Sequence, residues 1–183
     1  KEGIKFDKLQ DGGHQEKNKR AGTENVPGII GLGKAIERIY ENFDEYNEKL
    51  TKLRDYYVKN IEEKIPYIKL NGHKTNRLPG NANISFKFIE GEALLLNLDA
   101  KGICASTGSA CASGSLDPSH VLLAIGLPHE VAHGSLRITI GEENTKDDID
   151  YLVDCLVEIV KKLRNMSPLY EKFINSINTG KEE

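Results

Sequence analysis

What the 183 residues lack narrows their role before any motif is read. No apolar run approaches the roughly 20 residues that span a bilayer, and the opening KEGIKFDKLQ has no apolar region of a signal peptide, so the chain reads as soluble. Positive charge is nowhere massed. The 25 Lys and Arg are interspersed with 28 Asp and Glu for a formal net charge of -3, which argues against a direct nucleic-acid partner. Cysteine is scarce: three residues, an odd number without framework spacing, fit a reducing, cytoplasmic compartment in which thiols stay free. Cys104, Cys111, His120 and His133 lack the close paired spacing of a zinc site, so no metal is expected. Internal repeats and low-complexity segments are also missing. The chain has no initiator methionine and opens on the strand-like IKF, which leads to the expectation that it begins inside a larger fold.

What is present divides into parts. Residues 1–25 are polar and glycine-punctuated, a loop with little core of its own. Residues 26–65 contain no Gly or Pro after Gly33. There Ile29, Leu32, Ile36, Ile39, Phe43, Tyr46, Leu50, Leu53 and Tyr57 recur in alternating steps of three and four, which predicts one long helix with Pro27 in its first turn. From Lys34 to Lys64 it would reach about 46 Å, enough to bridge two lobes. A coiled-coil arm is the alternative, with no second heptad segment to pair with it.

Residues 66–170 alternate between strand and helix patterns. ANISFKFI puts Ala82, Ile84, Phe86 and Phe88 on one face, GEALLLNLDA reads as a helix, GICAS as a strand and DPSHVLLAIGL as a helix with Pro118 in its first turn. GSLRITIG is a strand with Leu136, Ile138 and Ile140 inward. The last helix is capped by Thr145 with Asp148 at the capping-box position and carries the stripe Ile149, Leu152, Leu156, Ile159, Leu163. Residues 171–183 are left as a tail. The fold class is α+β, a small sheet covered by helices.

The cysteines differ in setting. Cys155 sits on the last helix and Cys104 in an apolar strand, and both read as packing residues. Cys111 lies in STGSACASGS, where Ser, Gly and Ala cannot cover a thiol, so it is either an incidental exposed cysteine or a nucleophile on an arm that can move between partners. Arg137 alternates with Leu136 and Ile138. It either caps the exposed face of an edge strand or offers its planar fork to a carboxylate. In RAGTEN, Thr23 just before a helix start is either an ordinary cap or a hydroxyl available to a phosphate.

Taken together, GGHQEKNKRAGTENVPGI, RLPGNANISF, EGEALLLNLD, STGSACASGSLDPSHVLLAIGL and HGSLRITIG, in that order along most of the chain, resemble the NifS/IscS-type cysteine desulfurases of the class V aminotransferase group. His14 departs from the pattern, standing where the family commonly has Gly. The resemblance implies the small C-terminal lobe of a fold-type I pyridoxal-phosphate enzyme, joined by the long helix to a remnant of the large domain. It implies pyridoxal 5'-phosphate as cofactor, L-cysteine as substrate, and release of alanine as the loop cysteine takes the sulfur as a persulfide. By the same resemblance Cys111 is the nucleophile, Arg137 binds the substrate carboxylate, and Thr23, aided by Arg20, binds the cofactor phosphate from the neighbouring subunit of a homodimer.

The family's Schiff-base lysine lies upstream of a segment like KEGIKFDKL, so no lysine of this chain is given that role and the chain is expected to be inactive alone. The sulfur would go to an iron–sulfur scaffold or a tRNA-thiolation protein. Two other readings stay open: a selenocysteine lyase or cysteine sulfinate desulfinase of the same fold, and a non-catalytic sulfur-carrier or scaffold-binding module.

Overall fold

A computed structural model describes residues 3–4, 7–108 and 118–179. The chain forms two compact units, Lys1–Phe43 and Asp44–Glu183.

In the first unit the glycine-rich stretch is knitted by short-range bonds. Gln10 and Arg20 form an isolated bridge, with Ala21 N–H donating to Gln10 O at 3.1 Å. The intervening single turn α1 (Gln15–Asn18) holds Glu16, Lys17 and Asn18 at positive φ, a tight reversal rather than a regular helix. Helix α2 (Val26–Glu41) starts where Asn25 accepts the Gly28 N–H at 3.1 Å and Pro27 occupies the first turn. It stops at Asn42, whose φ of -131° and ψ of 31° are not helical. The single long helix expected over 26–65 is therefore two helices, because periodicity reports a face and is blind to one residue that leaves the helical register. The apolar stripe on α2, including Ile29, Leu32, Ile36 and Ile39, is exposed.

Helix α3 (Phe43–Lys64) belongs to the second unit from Asp44 on and is ended by Pro66, two residues beyond it. Its inner face carries Leu50, Tyr57 and Ile61. Strands β1 (Ile68–Leu70), β2 (Asn81–Phe86), β3 (Ser106–Thr107) and β4 (Ser135–Thr139) make one antiparallel sheet in the order β1-β2-β4-β3. One face buries Ala82, Ile84, Phe86, Leu136 and Ile138 against α3, α4 (Gly91–Asp99) and α7 (Lys146–Asn165). The period-two reading of β4 and the stripe of α7 hold, with Ile149, Leu152, Leu156 and Ile159 buried and Leu163 half-buried. The α7 capping box is formed as expected. A Cβ on Gly134 would collide with the Phe86 carbonyl oxygen, so only glycine lets β4 begin this close to β2.

Four expectations change. Phe88 is not on the β2 core face: the strand ends at Phe86, Phe88 turns to φ 72°, and its ring joins Tyr67, Tyr170 and Phe173 in a separate aromatic cluster. The buried Arg164 closes that turn, donating to Lys87 O at 3.2 Å and Tyr67 O at 3.1 Å. GICAS contributes only Ser106 to a strand, the two-residue β3, and Cys104 is exposed rather than in the core. Pro118 precedes the short α5 (His120–Ala124) instead of entering its first turn, and α6 (His129–His133) follows. The stretch left as a tail from 171 belongs largely to α8 (Pro168–Asn178), which starts at a proline and packs Phe173 into the aromatic cluster.

Candidate functional site

Arg137 lies in the middle of β4, which has β2 on one side and β3 on the other. It is thus on an interior strand and not on the edge that a lone LRITI suggests. Alternation sends Leu136 and Ile138 into the core and leaves Arg137 on the opposite, polar face. Its register partners are Asn83 on β2 and Ser106 on β3, so the three side chains form a row across that face. Neighbouring positions on the same face are Asn81, Ser85, Ser135 and Thr139, all small or uncharged. The guanidinium donates from Nη2 to Ser106 Oγ at 3.3 Å, and no described carboxylate pairs with it. An exposed, planar, permanently charged donor set in a row of hydroxyls and amides is chemically a receptor for a carboxylate.

Ser106 also starts the path to the second candidate. Thr107 and Gly108 follow it, and Gly108 rests against Ser135 and Leu122 so closely that a Cβ there would strike both. Cys111 lies outside the described residues, as do its neighbours 109–117. The root of its segment is placed: Ser106 and Arg137 are direct partners in the ladder. Of the other two thiols, Cys155 is buried on α7 as its helix position predicts, and Cys104 is solvent-facing before β3.

Thr23 belongs to the first unit and is exposed. Before it, Gly22 at φ 98° donates its N–H to Gln15 Oε1 at 3.2 Å, and Arg20 Nη1 donates to Ala21 O and Gly22 O at 3.3 and 3.4 Å. These bonds fix the turn from inside and leave the Thr23 hydroxyl unbonded among the described residues, just before the N-terminus of α2. That is the geometry that suits a phosphate oxygen. Arg20 is engaged with carbonyls and with Glu16 at 3.9 Å, so in this arrangement it braces the turn.

Among the described residues no three His, Cys, Asp or Glu side chains converge as metal ligands. His129 and His133 meet edge-to-face with ring centroids 4.8 Å apart, and His133 approaches Glu90 at 4.0 Å on the wall of a groove of about 650 Å³ that contains none of the candidate residues. Asn83 and Ser106 were not legible as site residues in the sequence. The available signal was the strand pattern itself, since a polar residue between two core positions shares the face of any polar residue opposite it, and register supplies the opposite partner only in three dimensions.

Comparison with known proteins agrees with the resemblance drawn from the motifs. The sequence model of the family described as Aminotransferase class-V matches residues 4–152. The cysteine desulfurase IscS of Clostridium botulinum is 58% identical over 178 residues, 96% of this chain and 45% of that protein. The cysteine desulfurase IscS of Methanosarcina thermophila is 57% identical over 172 residues, 94% of this chain and 42% of that protein. Among solved structures, a NifS-like protein from Rickettsia africae superposes with a TM-score of 0.76 at 32% identity, covering 86% of this chain and 41% of the other. The chain thus spans less than half the length of the relatives it matches. With a family model that covers most of its length and a fold shared with NifS-like proteins, the chain belongs to the class V aminotransferase family.

Proposed function

We propose that this chain serves a cysteine desulfurase, which converts L-cysteine to L-alanine and leaves the sulfur on Cys111 as a persulfide. The observation that carries the reading is Arg137: a guanidinium with no described acidic partner, on a polar sheet face, paired in the ladder with the residue that leads toward Cys111. The 52 to 58% identity to proteins named as cysteine desulfurases supports it.

The residues present suit one corner of a pyridoxal-phosphate site, because the unbonded Thr23 hydroxyl beside a helix N-terminus matches a phosphate. When bound, that cofactor would supply the electron sink that weakens the C–S bond of the substrate. The chain's own residues do the rest. Arg137 holds the substrate carboxylate in a two-pronged hydrogen-bonded pair, which fixes the substrate sulfur relative to the protein. Cys111 attacks as the thiolate, the form a free thiol of pKa about 8.5 reaches only in small part at neutral pH. A sulfur–sulfur bond forms and the carbon–sulfur bond breaks, its electron pair staying with carbon, which takes a proton to become alanine. The balance is one thiol and one cysteine in, one persulfide and one alanine out.

In this reading residues 1–25 are the phosphate-loop arm, 26–65 join it to the small lobe, and 66–170 are that lobe with the catalytic loop. The protein works as a homodimer in the cytoplasm and passes sulfur to an iron–sulfur scaffold or a tRNA-thiolation protein. Free thiols at Cys104 and Cys155 suit a reducing compartment. The test uses the holoenzyme containing this chain. Cys111→Ser should abolish persulfide formation while cofactor absorbance and alanine binding persist, and Arg137→Ala should raise KM for L-cysteine by about 100-fold, the scale of a lost charge-assisted pair. Sulfur transfer retained by Cys111→Ser, or an unchanged KM in Arg137→Ala, would overturn the corresponding role.

A further inference from the structure

The row across the polar face holds a second donor. Asn83 faces Arg137 directly across the β2–β4 ladder. Its Oδ1 accepts from Asn71 Nδ2 at 2.6 Å, and among the described residues nothing accepts from its own Nδ2. Asn71 is 6% exposed and held from every side. Its backbone N–H donates to Asn83 O at 2.9 Å, its carbonyl accepts from Arg77 Nη2 at 2.8 Å, and its amide nitrogen also donates to the buried Ser85 Oγ at 2.9 Å. Asn71 Oδ1 is left buried without a partner, so this side chain spends both N–H groups on fixing its neighbours. Holding the oxygen end of the Asn83 amide leaves the nitrogen end as the part still able to bond. Asn83 is half-buried, and it lies opposite Arg137, a guanidinium with no acidic partner among the described residues.

From this arrangement we infer that Asn83 donates a hydrogen bond to the substrate carboxylate held by Arg137, with Asn71 as the positioning residue that turns the Asn83 amide nitrogen toward it. The inference rests on the carboxylate role of Arg137 proposed above. A guanidinium fork saturates two lone pairs of a carboxylate and leaves others open, and a neutral amide beside it adds a bond without adding charge. Ser106, on the other side of the row, accepts from Arg137 Nη2 at 3.3 Å.

The experiment compares Asn83→Ala, Asn83→Asp and Arg137→Ala in the holoenzyme. The readouts are calorimetric affinity for L-alanine and for ethylamine, which lacks the carboxylate, together with kcat and KM for L-cysteine. The expected result for Asn83→Ala is about tenfold weaker alanine binding and higher KM, the worth of one hydrogen bond to a charged group, with ethylamine binding and kcat unchanged. Asn83→Asp keeps the shape but puts a carboxylate against a carboxylate, so its loss should exceed that of alanine. If Asn83→Ala proves unstable, Asn83→Asp decides alone. Equal losses for alanine and ethylamine, or undiminished alanine binding in Asn83→Asp, would overturn the inference. If Arg137→Ala also binds alanine normally, the failure lies in the carboxylate reading of the whole face; if it alone loses binding, only the Asn83 assignment falls.

Discussion

Tyr57 is fully buried on α3, and its hydroxyl finds no hydrogen-bond partner among the described residues. Burial pushes the phenol well above its ordinary range, so it stays neutral, but an orphaned hydroxyl still forfeits its bonds to water. Tyr57→Phe should therefore leave the fold intact and stabilise it by about 1 kcal/mol, read as a higher denaturant midpoint at constant m-value. A destabilised variant would mean that the hydroxyl has a partner. Residue chemistry of this kind was only partly legible beforehand. The motif residues Arg137 and Thr23 stood out by type and neighbourhood, and Cys155 by its helix position. Cys104 did not, because four apolar or small neighbours look like a strand until the chain is seen to turn outward before β3. Asn83 and Asn71 were silent, since their significance lies in a pairing twelve residues apart.

Helix α7 shows how an element can be specified by its ends. Thr145 Oγ1 accepts from the Asp148 N–H, and the Asp148 carboxylate accepts from the Thr145 backbone N–H at 2.8 Å and from its hydroxyl at 3.0 Å. Those two bonds, the backbone one first, hold Asp148 below its ordinary pKa of 3.8. A carboxylate with a depressed folded-state pKa contributes stability that is fully present above the unfolded-state value and lost as pH falls through the folded one. The stability gap between the wild type and Asp148→Asn should thus be constant near neutral pH and close in the acid range, as measured by chemical denaturation at a series of pH values. A gap independent of pH would mean that the carboxylate charge takes no part in the cap. The capping box was readable because its four residues are contiguous. By contrast, the break at Asn42 and the end of β2 at Phe86 were not, since each depends on backbone angles that local composition does not dictate. Helix α8 was missed because its stripe is completed by Tyr67 and Phe88, residues far away in sequence.

At the scale of the molecule, the buried apolar clusters among the described residues lie within the second unit, while α2 presents Ile29 at 57% and Ile36 at 47% exposure. A contiguous apolar stripe of this kind is a contact surface or an aggregation liability. The 183-residue chain made alone should bind an apolar dye and self-associate, and Ile29→Gln with Ile36→Gln should reduce both with little effect on melting temperature. Unchanged dye binding would place the sticky surface elsewhere. The sheet order has its own outcome in native-state hydrogen exchange. Strand β3 is two residues long and on the edge, whereas β4 is flanked on both sides. Breathing of the sheet should start at β3, freeing Ser106 and Thr107 while the longer β2–β4 ladder stays protected. The backbone pairing of Asn83 with Arg137 belongs to the longer ladder and persists through that fluctuation, whereas the Arg137 bond to Ser106 Oγ is released with the strand that carries it.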